Sequence, residues 1–124
     1  MTRPQSKAAS AASAGALLGY GLWLVSPIVA GCAEPWDASF PLYTPVLVVG
    51  GALGGGLLPG RAIAFLLGLW IGQVLALATL PDHQRSWILL GAVTTAIGAT
   101  VSVPSYVAAS FLRKRCAARR LPGG

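Results

Sequence analysis

The sequence predicts an all-α membrane protein: four transmembrane helices in one antiparallel bundle, with both termini on the cytoplasmic side. Three observations predict it. Four apolar stretches run along the chain, at 14–31, 43–58, 61–80 and 87–112. Between Lys7 and Arg113 the only charged residues are Glu34, Asp37, Arg61, Asp82 and Arg85, and each lies in a gap or at the end of a stretch. The basic residues collect on one side of those stretches. A bilayer core about 30 Å thick takes roughly 20 apolar helical residues to cross.

Composition agrees with this. Of 124 residues, 55% are hydrophobic and 10% charged, and the mean hydropathy is +0.70. That is more apolar side chain than a soluble domain of this length can hide. The formal charge of +6 and pI near 10.2 would otherwise point to nucleic acid. Here the basic side chains flank apolar spans and set orientation instead. With the N-terminus inside, Arg3, Lys7, Arg61, Arg113, Lys114, Arg115, Arg119 and Arg120 are cytoplasmic. Of the nine basic residues only Arg85 is then outside, together with all three acids.

Residues 1–13 are small, polar and basic, a cytoplasmic segment that frays or extends the first helix. The first span carries Pro27 near its outer end, where a proline breaks the final turn. It closes on Val29-Ala30-Gly31-Cys32, which resembles the box at which bacterial lipoproteins are cleaved and acylated on cysteine. A basic run before an apolar one also fits a signal peptide. Three more spans follow, so an ordinary first span is expected, with acylation of Cys32 as the alternative. The outer loop 32–42 holds Trp36 and Phe40, aromatics suited to the membrane interface.

The second span is short and glycine-rich and ends at Pro59-Gly60. Arg61 then opens the third, so the connection reads as a tight cytoplasmic hairpin that sets spans two and three antiparallel and in contact. The short loop 81–86 makes spans three and four neighbours, and Trp87 marks the outer interface. The fourth span, 87–112, would be about 39 Å long. It exceeds the hydrocarbon layer, and Pro104 is its expected kink. Residues 113–124 form a basic cytoplasmic tail.

Small residues recur every fourth position on span three: Gly60, Ala64, Gly68, Gly72 and Ala76. That spacing keeps them on one face. Span two has Gly50/Gly54 and Gly51/Gly55, span one Gly15/Gly19, and span four Gly91, Thr95, Gly98, Ser102, Ser105 and Ala109. In lipid such faces let helix backbones approach. Packing within the chain is the first expectation, and a homo-oligomer or partner face made from one stripe the second. Gln73 is the only amide or acid side chain within a span. It should face the bundle, where Thr94, Thr95, Thr100, Ser102 and Ser105 offer partners. The alternative is a polar lining for a small solute, formed by Gln73, Thr94, Thr95, Ser102 and Ser105.

No catalytic constellation is legible, and neither a cofactor nor a metal is expected. The single histidine, His83, lies in an outer loop. Cys32 and Cys116 fall on opposite sides in this topology and belong to no Cys-x-x-Cys. Glu34 and Asp37 alone are a weak metal signal. The first span lacks the embedded glutamate of small multidrug transporters. Gly50-Gly51-Ala52-Leu53-Gly54, followed by Arg61, resembles a glycine-rich segment of bacterial fluoride channels. The phenylalanine-bearing Thr-Thr-Phe-Ser type segment of those channels is absent, since Thr94-Thr95 is followed by Ala96-Ile97, and no family assignment follows.

The expected function is therefore that of a small non-enzymatic membrane protein, an accessory subunit or packing partner in a larger assembly. An oligomeric channel or transporter for a small solute or ion is the alternative, and a holin-like pore former the third. The alanine- and glycine-rich composition fits a GC-rich bacterial source, which makes the cytoplasmic (inner) membrane the expected location and the lipid bilayer the expected partner. No nucleic-acid partner is expected.

Overall fold

The computed structural model describes residues 3–32, 35, 42–80 and 88–119, and among them every regular element is a helix. These are α1 (Arg3–Ala30), α2 (Tyr43–Leu57), α3 (Ala62–Thr79), α4 (Ile88–Thr100) and α5 (Ser102–Arg119). Three helical runs are long and apolar enough to cross a membrane: Gln5–Ala30, Ala62–Thr79, and Ile88–Arg119, which takes α4 and α5 together. The fourth, Tyr43–Leu57, is a shorter apolar helix. The aromatics Trp36, Phe40 and Trp87, the acids Glu34, Asp37 and Asp82, and His83, Arg85 and Arg120 lie outside the described residues.

Local chemistry explains the helix ends. Pro27 does not stop α1, which runs on to Ala30. Gly31 then takes φ +69°, the left-handed conformation that favours glycine after a helix. The Ser26 hydroxyl donates to the Cys32 carbonyl at 2.8 Å and fastens this exit. Pro45 sits in the first turn of α2, where no helical N–H partner is lost. The helix closes with Leu58 N–H on the Gly54 carbonyl at 2.8 Å. Leu80, which precedes Pro81, is extended (ψ 141°), because proline excludes the helical conformation from the residue before it.

The fourth apolar stretch is two helices, not one. Pro104 has no N–H for the Thr100 carbonyl, and the Val101 N–H turns to Gly98 at 3.0 Å in a tighter three-residue step. The described parts of both terminal segments are also helical: α1 begins at Arg3, well inside 1–13, and α5 continues past 112 through Arg119.

Helix pairing differs from the order of the chain. α1 packs chiefly on α3, and α2 chiefly on α5. Gly68 lies on the backbone of Ala12 and Gly72 on that of Ala16, while Gly15 and Gly19 lie on those of Phe65 and Leu69. Residue numbers rise together, so α1 and α3 are parallel. Gly51 on Ser102 and Gly55 on Tyr106 make α2 and α5 parallel in the same way. The expected contact along spans two and three is therefore corrected. These helices are antiparallel but meet at only a few points, because the Phe65 ring fills the space beside Gly54 and holds the two backbones apart. The antiparallel α3–α4 neighbours do pack, with Trp70 Nε1 donating to the Ala92 carbonyl at 2.9 Å.

The interior is made of small residues and a few large ones. Leu22, Leu47, Phe65, Leu69 and Tyr106 form the main cluster, with Ala11 and Ala99; Trp23, Ala76 and Leu77 form a second. The Phe65 and Tyr106 rings are 5.2 Å apart. Bulky aliphatics point outward instead: Ile28 is 84% exposed, Leu89 83% and Ile63 77%. That inversion of soluble-protein patterning suits a hydrocarbon surround, where contact between small residues rather than burial of large ones holds helices together.

Candidate functional site

The most polar point of the interior is built by three helices. Gln73 on α3 is fully buried. Tyr43, at the first residue of α2, donates its hydroxyl to Gln73 Oε1 at 2.7 Å. The Tyr43 ring reaches that position across Gly98 of α4, where a Cβ would overlap the tyrosine hydroxyl. Gln73 Nε2 is buried and has no hydrogen-bond partner among the described residues. One acceptor of the amide is thus satisfied and its two donors are not.

The hydroxyls expected to bond Gln73 do otherwise, and this corrects the sequence reading. Each donates to a carbonyl of its own rod: Thr94 to Leu90 at 2.9 Å, Thr95 to Ala92 at 3.0 Å, Thr100 to Ile97 at 2.6 Å, Ser102 to Ala99 at 2.7 Å and Ser105 to Ser102 at 3.0 Å. Short β-hydroxyls reach the preceding turn more readily than a neighbouring helix. Thr95 and Ser102 are buried, Ser105 is half-buried and Thr94 is exposed.

The small residues divide into three groups. Gly68, Gly72, Gly51 and Gly55 all lie on a neighbouring backbone, where a Cβ would overlap a carbonyl oxygen. Gly91 faces the Leu77 side chain and Gly98 the Tyr43 ring, while Ala64 is half-buried against the main cluster and Ala76 is buried beside Trp23. Gly60 does not belong with them. It has φ +80° in the turn before α3, with nothing near its Cβ position. Period-four spacing carried it into the stripe, but the helix starts two residues later.

Side chains that the sequence reading passed over make the cross-helix bonds. Tyr106 donates to the Leu58 carbonyl and Arg113 to that of Gly56, and Ser110 donates to Gly55 at 3.1 Å. Together they cap the end of α2, whose last carbonyls have no helical partners. The Tyr20 and Thr79 hydroxyls meet at 3.1 Å between α1 and α3. Tyrosine in an apolar span was the available signal, since a phenol reaches a neighbouring helix more readily than a serine or threonine hydroxyl does. Between α3 and α4 an apolar groove of about 210 Å³ opens beside Trp70, Ala96 and Thr100. Among the described residues, no cluster of histidine, cysteine and acid side chains has the makings of a metal site.

Comparison with protein-family models, with curated proteins and with solved structures finds no match for this chain.

Proposed function

We propose that this chain is a small integral membrane protein of the bacterial inner membrane, without catalytic activity, that serves as an accessory subunit or packing partner in a larger membrane assembly. Its apolar segments cross four times with both termini in the cytoplasm. α2, about 22 Å long at 1.5 Å per residue, is shorter than the hydrocarbon core and crosses where the bilayer thins locally. Arg113 supplies a polar cap at its inner end.

The observation that carries this reading is the use of the interior. Glycine-to-backbone contacts close both parallel pairs, and the fourth-span hydroxyls are engaged with their own carbonyls. Toward lipid the described residues present a largely aliphatic face, with a groove beside Trp70. Purified protein in liposomes is expected to give no ion or small-solute flux above protein-free vesicles. A specific flux in the parent that disappears in Gln73→Leu would replace this reading with the second one, conduction, which the unpartnered Gln73 Nε2 favours.

The topology has its own test. Cys116 is exposed on α5 and Cys32 lies beyond the opposite end of α1. An impermeant thiol reagent on intact cells should modify Cys32 and spare Cys116. Labelling of Cys116 from outside overturns the assigned orientation.

A further inference from the structure

The C-terminal turns of α5 stand clear of the bundle. Gly55 lies on Tyr106, and α2 continues two residues beyond that level whereas α5 continues thirteen. The difference is a helical overhang of about 16 Å, and its outer part, the rod from Phe111 to Arg119, is exposed at every residue. The rod opens with the apolar Phe111 and Leu112, 52% and 61% exposed, and then turns basic with Arg113, Lys114, Arg115 and Arg119. It contains no acid, and the acid nearest in sequence, Asp82, precedes the far end of α4. None of the described residues is an acid, so among them the rod's charge has no counterpart.

We propose that this rod is a binding surface for the anionic phospholipid headgroups of the cytoplasmic leaflet, the one at the C-terminal end of α5. The proposal rests on the membrane reading above. The level of the rod is the first argument. It starts where α2 ends, and a headgroup layer adds roughly 5–8 Å to each side of the hydrocarbon, so the basic turns pass through that layer. The direction of the charges is the second. Arg113 turns to the Gly56 carbonyl, and because successive helical residues turn by about 100°, Lys114 and Arg115 point in other directions around the axis, so the basic side chains do not share one face. A rod surrounded by headgroups meets charge on all sides, whereas an acidic protein or a nucleic acid would dock on one. Arg115 also lies 4.4 Å from the Phe111 ring, which holds its guanidinium at the apolar-to-basic boundary.

The test uses the full-length chain carrying Cys32→Ala, with a fluorophore on Cys116, reconstituted in vesicles. Brominated phosphatidylglycerol and brominated phosphatidylcholine are compared as quenchers. Each basic residue beside an anionic leaflet contributes roughly a fivefold preference, so the parent should favour the anionic lipid at least fivefold. High salt should bring the ratio close to one, and the combined Lys114→Gln, Arg115→Gln and Arg119→Gln variant, which keeps Arg113 and Arg120, should lower it at least fivefold from the parent's value. Arg113 is left in place because it holds the end of α2. Equal quenching in the parent, or a preference untouched by the triple variant, overturns the proposal. So does a parent without lipid preference whose fluorescence responds to soluble polyglutamate, which would assign the rod to an acidic protein. Flotation of the same vesicles reads the membrane reading separately: protein left behind in the dense fraction refutes insertion, whereas floated protein with no lipid preference refutes only this proposal.

Discussion

Replacing Gly68 by leucine is expected to force α1 away from α3 and to cost at least about 1–3 kcal/mol, the usual range for overpacking. The argument is geometric. A Cβ on Gly68 would overlap the Ala12 carbonyl, which belongs to the backbone of a helix and cannot rotate aside as a side chain does. Gly68→Ala already meets that obstacle, and leucine adds volume that the seam has nowhere to place. Gly72→Leu should behave alike against Ala16. Gly21 and Gly56 supply the contrast, because nothing lies within 4 Å of a Cβ at either position. Alanine at those sites should hold or raise stability, since glycine within a helix costs about 0.5–1 kcal/mol relative to alanine. Thermal unfolding of the four variants in detergent reads the difference. Gly68→Leu and Gly72→Leu melting with the parent, or Gly21→Ala melting far below it, would remove the α1–α3 seam from the account.

That seam marks where the sequence was informative and where it stopped. Stripes of small residues were legible on all four apolar stretches, because a period of four places residues on one helix face whatever the partner is. Which stripe meets which was not legible. Glycine faces are nearly interchangeable, and nothing in Gly68-x-x-x-Gly72 distinguishes Ala12 and Ala16 of a parallel helix from glycines of an antiparallel one. The tight Pro59-Gly60 turn pointed to spans two and three as partners. A turn fixes only where two helices begin to diverge, and Phe65 then keeps the pair apart beyond it. A kink in the last apolar stretch was legible from Pro104, but not that it would part the stretch into two helices at Val101. The extent of α5 was not, since charge ends an apolar stretch without ending a helix, and Arg113, Lys114 and Arg115 are all good helix formers.

The polar interior divides along the same line. Gln73 was conspicuous as a lone amide in an apolar span, and its need of a partner followed from the cost of burying an unpaired polar group. Its partner was misjudged for a reason of reach. Packed helix axes lie about 8–10 Å apart, a distance that a phenol bridges and a β-hydroxyl rarely does. Tyr43 sits at the first residue of α2, where an aromatic reads as an interface anchor, so its inward role had no signature in composition.

The second large effect is expected at that tyrosine. Tyr43→Phe keeps the ring that fills the space beside Gly98 and deletes only the oxygen that donates to Gln73 Oε1. The amide then has neither its oxygen nor its nitrogen bonded, and it remains in an apolar surround. Stranding a buried polar group costs about 1–3 kcal/mol. Gln73→Leu removes the need along with the bond and puts apolar bulk in its place. A lost interhelical hydrogen bond in a membrane bundle is worth about 1 kcal/mol or less. The ordering is therefore inverted from what the buried position alone would suggest: losing half-buried Tyr43's hydroxyl should hurt more than losing fully buried Gln73. Tyr43→Phe combined with Gln73→Leu should recover much of the loss, because no amide is left to strand. A double-mutant cycle of denaturation in detergent measures this coupling directly. If Tyr43→Phe is as stable as the parent, or if adding Gln73→Leu to it lowers stability further, then the phenol does not hold the amide and the buried polar point is not organised as described.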